Sequence, residues 1–297
     1  MKKVLKWTGI GVGGLVVLFL VLLLVLIVLG TVLRVNASYD IEVAAVEVPT
    51  DEESIARGRH IVESYALCVA CHGDNMEGEV LDEDLLFGTF APPNLTSGLG
   101  GLGGKLSDLD YVRAIRHGVD RDGKGLFIMP SDHFNTLSDE DLGAIIAYLK
   151  NMPPVDNEVE LKVGLLARII ALVEADFFPA GLIDHDAVRP PSPAPGVTAE
   201  YGEYLTFMCT LCHGEQFSGG TVPGERDAPQ APNLTLLARA KWSEEDFFKV
   251  IRTGVNKSGK QLDPEYMPWD HLAKMTDDEL KALWLFLSSL EQRRFGK

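Results

Sequence analysis

The chain is 297 residues long, 46% apolar and 24% charged, with a formal net charge of −16. That length accommodates an apolar segment and two compact domains of about 100–150 residues each. A field of that sign repels nucleic acid and anionic lipid, and it reads either as a solvated acidic face or as a match for a basic docking partner.

The chain opens with Lys2, Lys3 and Lys6, followed by "IGVGGLVVLFLVLLLVLIVLGTVL", Ile10 to Leu33. As a helix those residues measure roughly 36 Å at 1.5 Å per residue, enough to cross a hydrocarbon core of about 30 Å with some tilt. Residues 1–34 hold four of the 27 basic residues and none of the 43 acidic ones, so the remainder carries a net charge of −20. The lysines place the N-terminal end in the cytoplasm and everything after Arg34 outside. A signal peptide cleaved at "VNAS" (Val35 to Ser38) is the competing reading, but the apolar run is longer than the usual signal core of about 7–15 residues. Either way the rest of the chain is exported.

A tether over residues 35–51 leads to a unit that occurs twice. "CVACHG" returns as "CTLCHG" about 140 residues on, "APPNLT" as "APNLT", "AIRHGV" as "VIRTGV" and "MPSDH" as "MPWDH". Four blocks in the same order indicate a duplicated domain, with boundaries 52–152 and 198–297. Each copy is expected to be mostly helical. One helix runs from about Ser54 into the first cysteine motif, with Tyr201 to Met208 as its counterpart. A second stops at Gly118 or Gly254, the residue type that tolerates a left-handed cap. A closing helix opens at Ser138 or Thr276, with Asp141 or Glu279 three positions on as partner for the first-turn N–H groups. Leu142, Ile145, Ile146 and Leu149, and then Leu280, Leu283, Trp284 and Leu287, mark its core face.

Residues 153–197 form the link between the copies, with an expected apolar helix in "LKVGLLARIIALVEADFF" and a stiff proline-rich end, "RPPSPAPG". His185, in this segment, reads as structural or solvent-exposed. "GLGGLGG" (Gly98 to Gly104) contains a literal G-x-G-x-x-G, but no strand precedes it, so it reads as a flexible loop rather than a dinucleotide site.

The chemistry lies in the cysteines. Cys68, Cys71, Cys209 and Cys212 all fall in C-x-x-C-H frames, leaving none for a disulfide framework. Two cysteines three positions apart on a helical turn reach the two vinyl groups of one haem edge, and the adjacent His72 or His213 presents an imidazole to the iron. A redox dithiol has no need of that histidine, and a structural zinc ion needs four ligands, hence both frames together. Haem attachment is the reading that uses every residue of the motif. A second axial ligand is then required unless the position stays open. Met129 follows His72 by roughly 57 residues and Met267 follows His213 by roughly 54, each before a proline that stiffens its strap. His133 and His271, four residues further on, are the rival ligands or contacts to a haem edge or propionate. Asn94 and Asn233 sit in N-x-T frames, but their recurrence points to a wall loop of each site rather than to glycosylation.

With these motifs in place, the chain resembles the class I cytochrome c superfamily over about Glu53 to Leu149 and Thr198 to Leu290. The resemblance implies a mostly α fold, an N-terminal transmembrane helix followed by two tandem class I cytochrome c domains. It implies two covalently bound haem c groups, one on Cys68 and Cys71 and one on Cys209 and Cys212. His72 and His213 become proximal ligands and Met129 and Met267 distal ones, with the Pro93 and Pro232 carbonyls as candidate partners of the proximal imidazoles. The chain is also similar to cytochrome c subunits that accept electrons from membrane-bound or periplasmic dehydrogenases, although such subunits often carry three haems. The function expected is electron transfer, without catalysis, between redox proteins on the periplasmic side of a bacterial cytoplasmic membrane. A di-haem peroxidase, which needs one exchangeable distal face, is the alternative, and a haem-based sensor ranks behind both.

Overall fold

The computed structural model describes residues 2–174, 177–189, 191–221, 228–237 and 239–296. Ala175, Asp176 and Pro190, within the expected link, lie outside the described residues.

Helix α1 spans Lys2–Gly30 and continues as a wider turn over Thr31–Val35. The stretch Lys6–Val35 is long and apolar enough to cross a membrane, and its most apolar window is not buried. Its apolar side chains are exposed along its length, from Ile10 and Leu15 to Leu29 and Leu33.

The first set of helices comprises α2 (Glu52–Glu63), α3 (Val69–His72), α4 (Asp108–His117), α5 (Ser131–Phe134) and α6 (Asp139–Lys150). After α7 (Leu165–Ile170), the second set repeats that order as α8 (Ala199–Tyr204), α9 (Cys209–His213), α10 (Glu244–Thr253), α11 (Trp269–Leu272) and α12 (Asp277–Ser289). The first helix of each set packs on the last, α2 on α6 and α8 on α12. One residue permits that approach in each pair. A Cβ on Gly58 would lie 1.9 Å from the Ala144 carbonyl oxygen, and one on Gly202 would lie 2.0 Å from that of Ala282. The expected single helix from Ser54 into the cysteine motif is instead two, because the chain must turn between α2 and α3; Leu67, just before the motif, adopts a positive φ of 55°.

The expected caps are present. Gly118 (φ 64°) and Gly254 (φ 68°) end α4 and α10 in the left-handed conformation. Thr276 and Glu279 form a reciprocal capping box. Ser138 caps α6 through the Asp141 N–H alone, because the Asp141 carboxylate is engaged by Arg57 and Tyr204 instead.

Three elements depart from expectation. Strands β1 (Asp82–Asp84), β2 (Gly88–Phe90) and β3 (Lys162–Val163) form a small antiparallel sheet in that order, pairing Asp82 with Phe90 and Gly88 with Val163. Helix α7 covers only six residues of the expected apolar helix and packs on α1. The glycine-rich segment is a close-packed turn rather than a free loop. A Cβ on Gly98 would fall 2.1 Å from the Val155 carbonyl oxygen, and one on Gly101 would fall 2.1 Å from that of Thr96.

One continuous core joins the two sets, from Ile61, Leu142 and Ile146 to Leu205, Leu280 and Leu283. Phe207 bridges them, edge-on to Tyr65 at 6.2 Å and tilted against Phe134 at 5.9 Å. Polar contacts reinforce the junction reciprocally. His60 of α2 reaches Glu279 of α12 at 2.8 Å, and Tyr204 of α8 donates to Asp141 of α6 at 2.7 Å.

Candidate haem sites

Each C-x-x-C-H frame forms a single helical turn, α3 or α9, that ends on its histidine. His72 and His213 are both buried. Each Nδ1 lies 2.9 Å from a proline carbonyl oxygen, Pro93 for His72 and Pro232 for His213. A carbonyl only accepts, so Nδ1 carries the proton, and Nε2 is left with its lone pair. Burial pulls both imidazoles below their ordinary pKa, against the opposing pull of the proline carbonyl. They are therefore neutral at pH 7, the form that binds metal.

The loop that presents each proline is built the same way twice. Gly73 and Gly214 turn the chain at positive φ after the histidine. The Gly78 N–H then donates to the His72 carbonyl (2.8 Å), as Gly219 does to His213 (2.9 Å). Leu95 N–H donates to Met76 O and Leu234 N–H to Phe217 O, both at 2.8 Å. Asn94 Oδ1 accepts from the N–H and hydroxyl of Thr96, each at 2.8 Å, and Asn233 Oδ1 does the same for Thr235 at 3.0 and 2.6 Å. The asparagines thus brace the loop carrying the proline. Asn94 is fully buried, its amide donating to the Val155 and Asn157 carbonyls, so no glycan fits there.

All four thiols are shifted toward the protonated form. Burial, with the neighbouring Cys71, pushes Cys68 up to about 12; burial with Cys212 does the same for Cys209, and burial alone raises Cys71 and Cys212. A reactive dithiol needs the opposite shift. Zinc fails as well, since no group of three or more His, Cys, Asp or Glu side chains converges among the described residues.

Met129 and Met267 are partly buried and pack against the common core, as do Cys68 and Cys209. Each strap turns alike: Pro130 and Pro268 both have ψ 56°, and the second residue after each methionine donates back to its carbonyl, Ser131 at 2.7 Å and Trp269 at 2.6 Å. The Nδ1 atoms of His133 and His271 are both buried without a hydrogen-bond partner; Asp132 Oδ2 lies 3.2 Å from His133 Nδ1. Two thiols, a neutral imidazole with its Nε2 lone pair, and a buried Nδ1 without a hydrogen-bond partner beside the methionine strap, all repeated, are a donor set that fits haem c. Sequence reasoning places the asparagines in a recurring wall loop but misses the crossing glycines Gly58 and Gly202. Their recurrence at matched positions is the signal that points to them.

The sites and the helical fold define a c-type cytochrome. The chain belongs to the family described as cytochrome c oxidase, cbb3-type, subunit III, which matches residues 53–149 and 198–287, and as such it binds haem c. Curated relatives include the fructose dehydrogenase cytochrome subunit of Gluconobacter japonicus, 24% identical over 262 residues, covering 80% of this chain and 52% of that protein. The cytochrome c subunit of alcohol dehydrogenase (quinone) from Gluconacetobacter polyoxogenes is 24% identical over 286 residues, 83% of this chain and 58% of that one. One of the subunits of nicotinate dehydrogenase from Pseudomonas putida is 29% identical over 259 residues, 80% and 21% respectively. The chain therefore spans between about a fifth and three-fifths of the length of these relatives.

Proposed function

We propose that the chain is a membrane-tethered di-haem cytochrome that carries electrons for a dehydrogenase catalytic subunit. The observation that carries this reading is the repeated pair of buried, neutral imidazoles, each fixed by a proline carbonyl beside two thiols on its own helical turn. In this reading residues 52–152 and 198–297 are two tandem cytochrome c domains. Cys68 and Cys71 hold one haem by adding their S–H bonds across its vinyl groups, and Cys209 and Cys212 hold the second. Haem c supplies a one-electron ferric–ferrous couple. His72 and His213 bind through Nε2, and Met129 and Met267 complete the coordination. That ligand pair leaves no open position and raises the potential, which suits outer-sphere transfer better than substrate chemistry.

The apolar helix keeps both sites close to the outer face of a cytoplasmic membrane, with the lysines of the N-terminus inside. The acidic surplus beyond Arg34 favours redox partners with a basic docking face and disfavours nucleic acid. Support for a dehydrogenase donor comes from the relatives, named as dehydrogenase subunits. The test is haem stoichiometry with intact mass on the matured protein. Two covalent haems per chain are expected, falling to one in the double variant Cys68→Ser with Cys71→Ser, or Cys209→Ser with Cys212→Ser; a single haem in the unaltered chain overturns the reading.

A further inference from the structure

The two methionine straps are alike in sequence but differ in what supports them. In the second set, the N–H groups of Tyr266 and Met267 both donate to Asp263, at 3.2 and 3.0 Å, and Trp269 Nε1 donates to Leu262 O at 3.1 Å. Those supports lie within the strap's own loop. In the first set, the residue before the methionine, Ile128, has a φ of 62°. For a β-branched residue that is a strained conformation, one that persists only where its surroundings impose it.

The surroundings come from the linking segment. The Ile128 N–H donates to the Phe177 carbonyl at 2.9 Å. The ring of Phe127 lies edge-on to Phe177 at 5.5 Å and tilted against Phe178 at 5.4 Å, and Phe178 is 3% exposed. Buried Ala180 lies against Gly118, whose added Cβ would meet both the Ala180 nitrogen (3.3 Å) and the Ser131 side chain (3.1 Å). Upstream, the same segment is fastened to the foot of the apolar helix. Arg34 Nε donates to the Ala171 carbonyl at 2.6 Å, and Arg168 Nη1 donates to Thr31 Oγ1 at 3.0 Å. Gly30 lies so near Arg168 that a Cβ would fall 1.8 Å from its carbonyl oxygen.

We infer that Phe178, with Phe127 and the Phe177 carbonyl, forms a strut of positioning residues that holds the Met129 strap in its ligating shape, whereas among the described residues the Met267 strap takes its backbone hydrogen bonds from its own loop. This rests on the proposed roles of Met129 and Met267. Axial ligation of the first haem then depends on how the link is docked to the membrane helix, and ligation of the second does not.

The experiment uses the full-length, haem-loaded protein in detergent. The ferric thioether charge-transfer band at the red edge of the spectrum and a potentiometric titration are recorded for the unaltered chain, Phe178→Ala, Phe178→Leu, Met129→Ala and Met267→Ala. Phe178→Ala is expected to lose about half of the band and to lower one midpoint potential, the same one that Met129→Ala lowers. Phe178→Leu, which keeps the apolar bulk, is expected to restore both. Full band intensity with both potentials unmoved in Phe178→Ala overturns the strut, and so does loss at the haem that responds to Met267→Ala. An unchanged band in Met129→Ala overturns the ligand assignment beneath it, a distinguishable failure. If Phe178→Ala does not assemble with haem, Phe127→Leu thins the same ring stack more gently. It is expected to raise imidazole affinity several-fold at the first haem only; no change at either haem refutes the strut.

Discussion

Replacing Tyr204 by phenylalanine removes one hydroxyl from the junction between the two sets of helices, and its cost can be worked from the contacts. Asp141 has a fully buried carboxylate, with one oxygen held by Arg57 Nε at 2.6 Å and the other by the Tyr204 hydroxyl at 2.7 Å. The same hydroxyl accepts from the Ser138 N–H at 3.2 Å. Burial, and then the Asp141 charge, push the Tyr204 phenol above its ordinary pKa, so it remains a neutral donor. A hydrogen bond to a charged group contributes about 1.5–3 kcal/mol. For a cooperative body of roughly 200 residues, each kcal/mol moves Tm by about 2–4 °C, so Tyr204→Phe should melt about 3–12 °C lower in far-UV circular dichroism. The cycle closes with Asp141→Asn and the double variant, in which the two changes should couple by at least about 1 kcal/mol. A Tm within about 1 °C of the parent, or a coupling near zero, refutes the argument that the buried carboxylate depends on its partner across the junction.

Three further outcomes follow from the structure. Gly58→Ala gains about 1 kcal/mol in helix propensity, but its methyl meets the Ala144 carbonyl, so guanidinium unfolding should show a net loss of about 1–3 kcal/mol, with Gly202→Ala behaving alike. His117 is held down to about 4 by burial, by His185, whose Nδ1 lies 3.0 Å from its own, and by Arg116, Arg189 and Arg113. The unfolded chain therefore binds a proton between about pH 6.5 and pH 4 that the folded one refuses. Stability should rise with pH across that window and level off above it, and His117→Gln should flatten the slope in thermal melts at stepped pH. Asn94→Ala removes the amide donor to the half-buried Val155 and Asn157 carbonyls, of which Val155 keeps the Thr96 hydroxyl, whereas among the described residues the amide of Asn233 meets the Arg293 carbonyl. It should destabilise the chain by about 2–3 kcal/mol, clearly more than Asn233→Ala in the same unfolding assay.

What can be read from residues alone is whatever is decided within a few positions. The caps at Ser138, Thr276, Gly118 and Gly254 are local chemistry, and so is the single turn that ends on His72 or His213. What escapes is set by distant chain. Nothing near Gly98 or Gly101 announces that Val155 or Thr96 will press against them, so a close-packed turn reads as a free loop. The strands of the small sheet are two or three residues long and join segments over 70 residues apart, too little pattern to detect. His185 reads as structural or exposed, and its pairing with His117 depends on how the link lies over the first set. Asp141 has the spacing of a capping box, which it forgoes because Arg57 and Tyr204 compete for the same carboxylate.

The junction has a consequence for how the two sets of helices hold together. Asp141 and Glu279 occupy the same position on matching helices, and each takes a partner from the opposite set: Tyr204 in one direction, His60 in the other. Gly58 and Gly202 put these partners in register, since His60 and Tyr204 each stand two residues beyond their glycine. A patch that meets its own likeness about a twofold is the contact of an isologous homodimer. Either set, parted from the other, would leave one of these carboxylates without its partner. Histidine on one flank and tyrosine on the other do the same task.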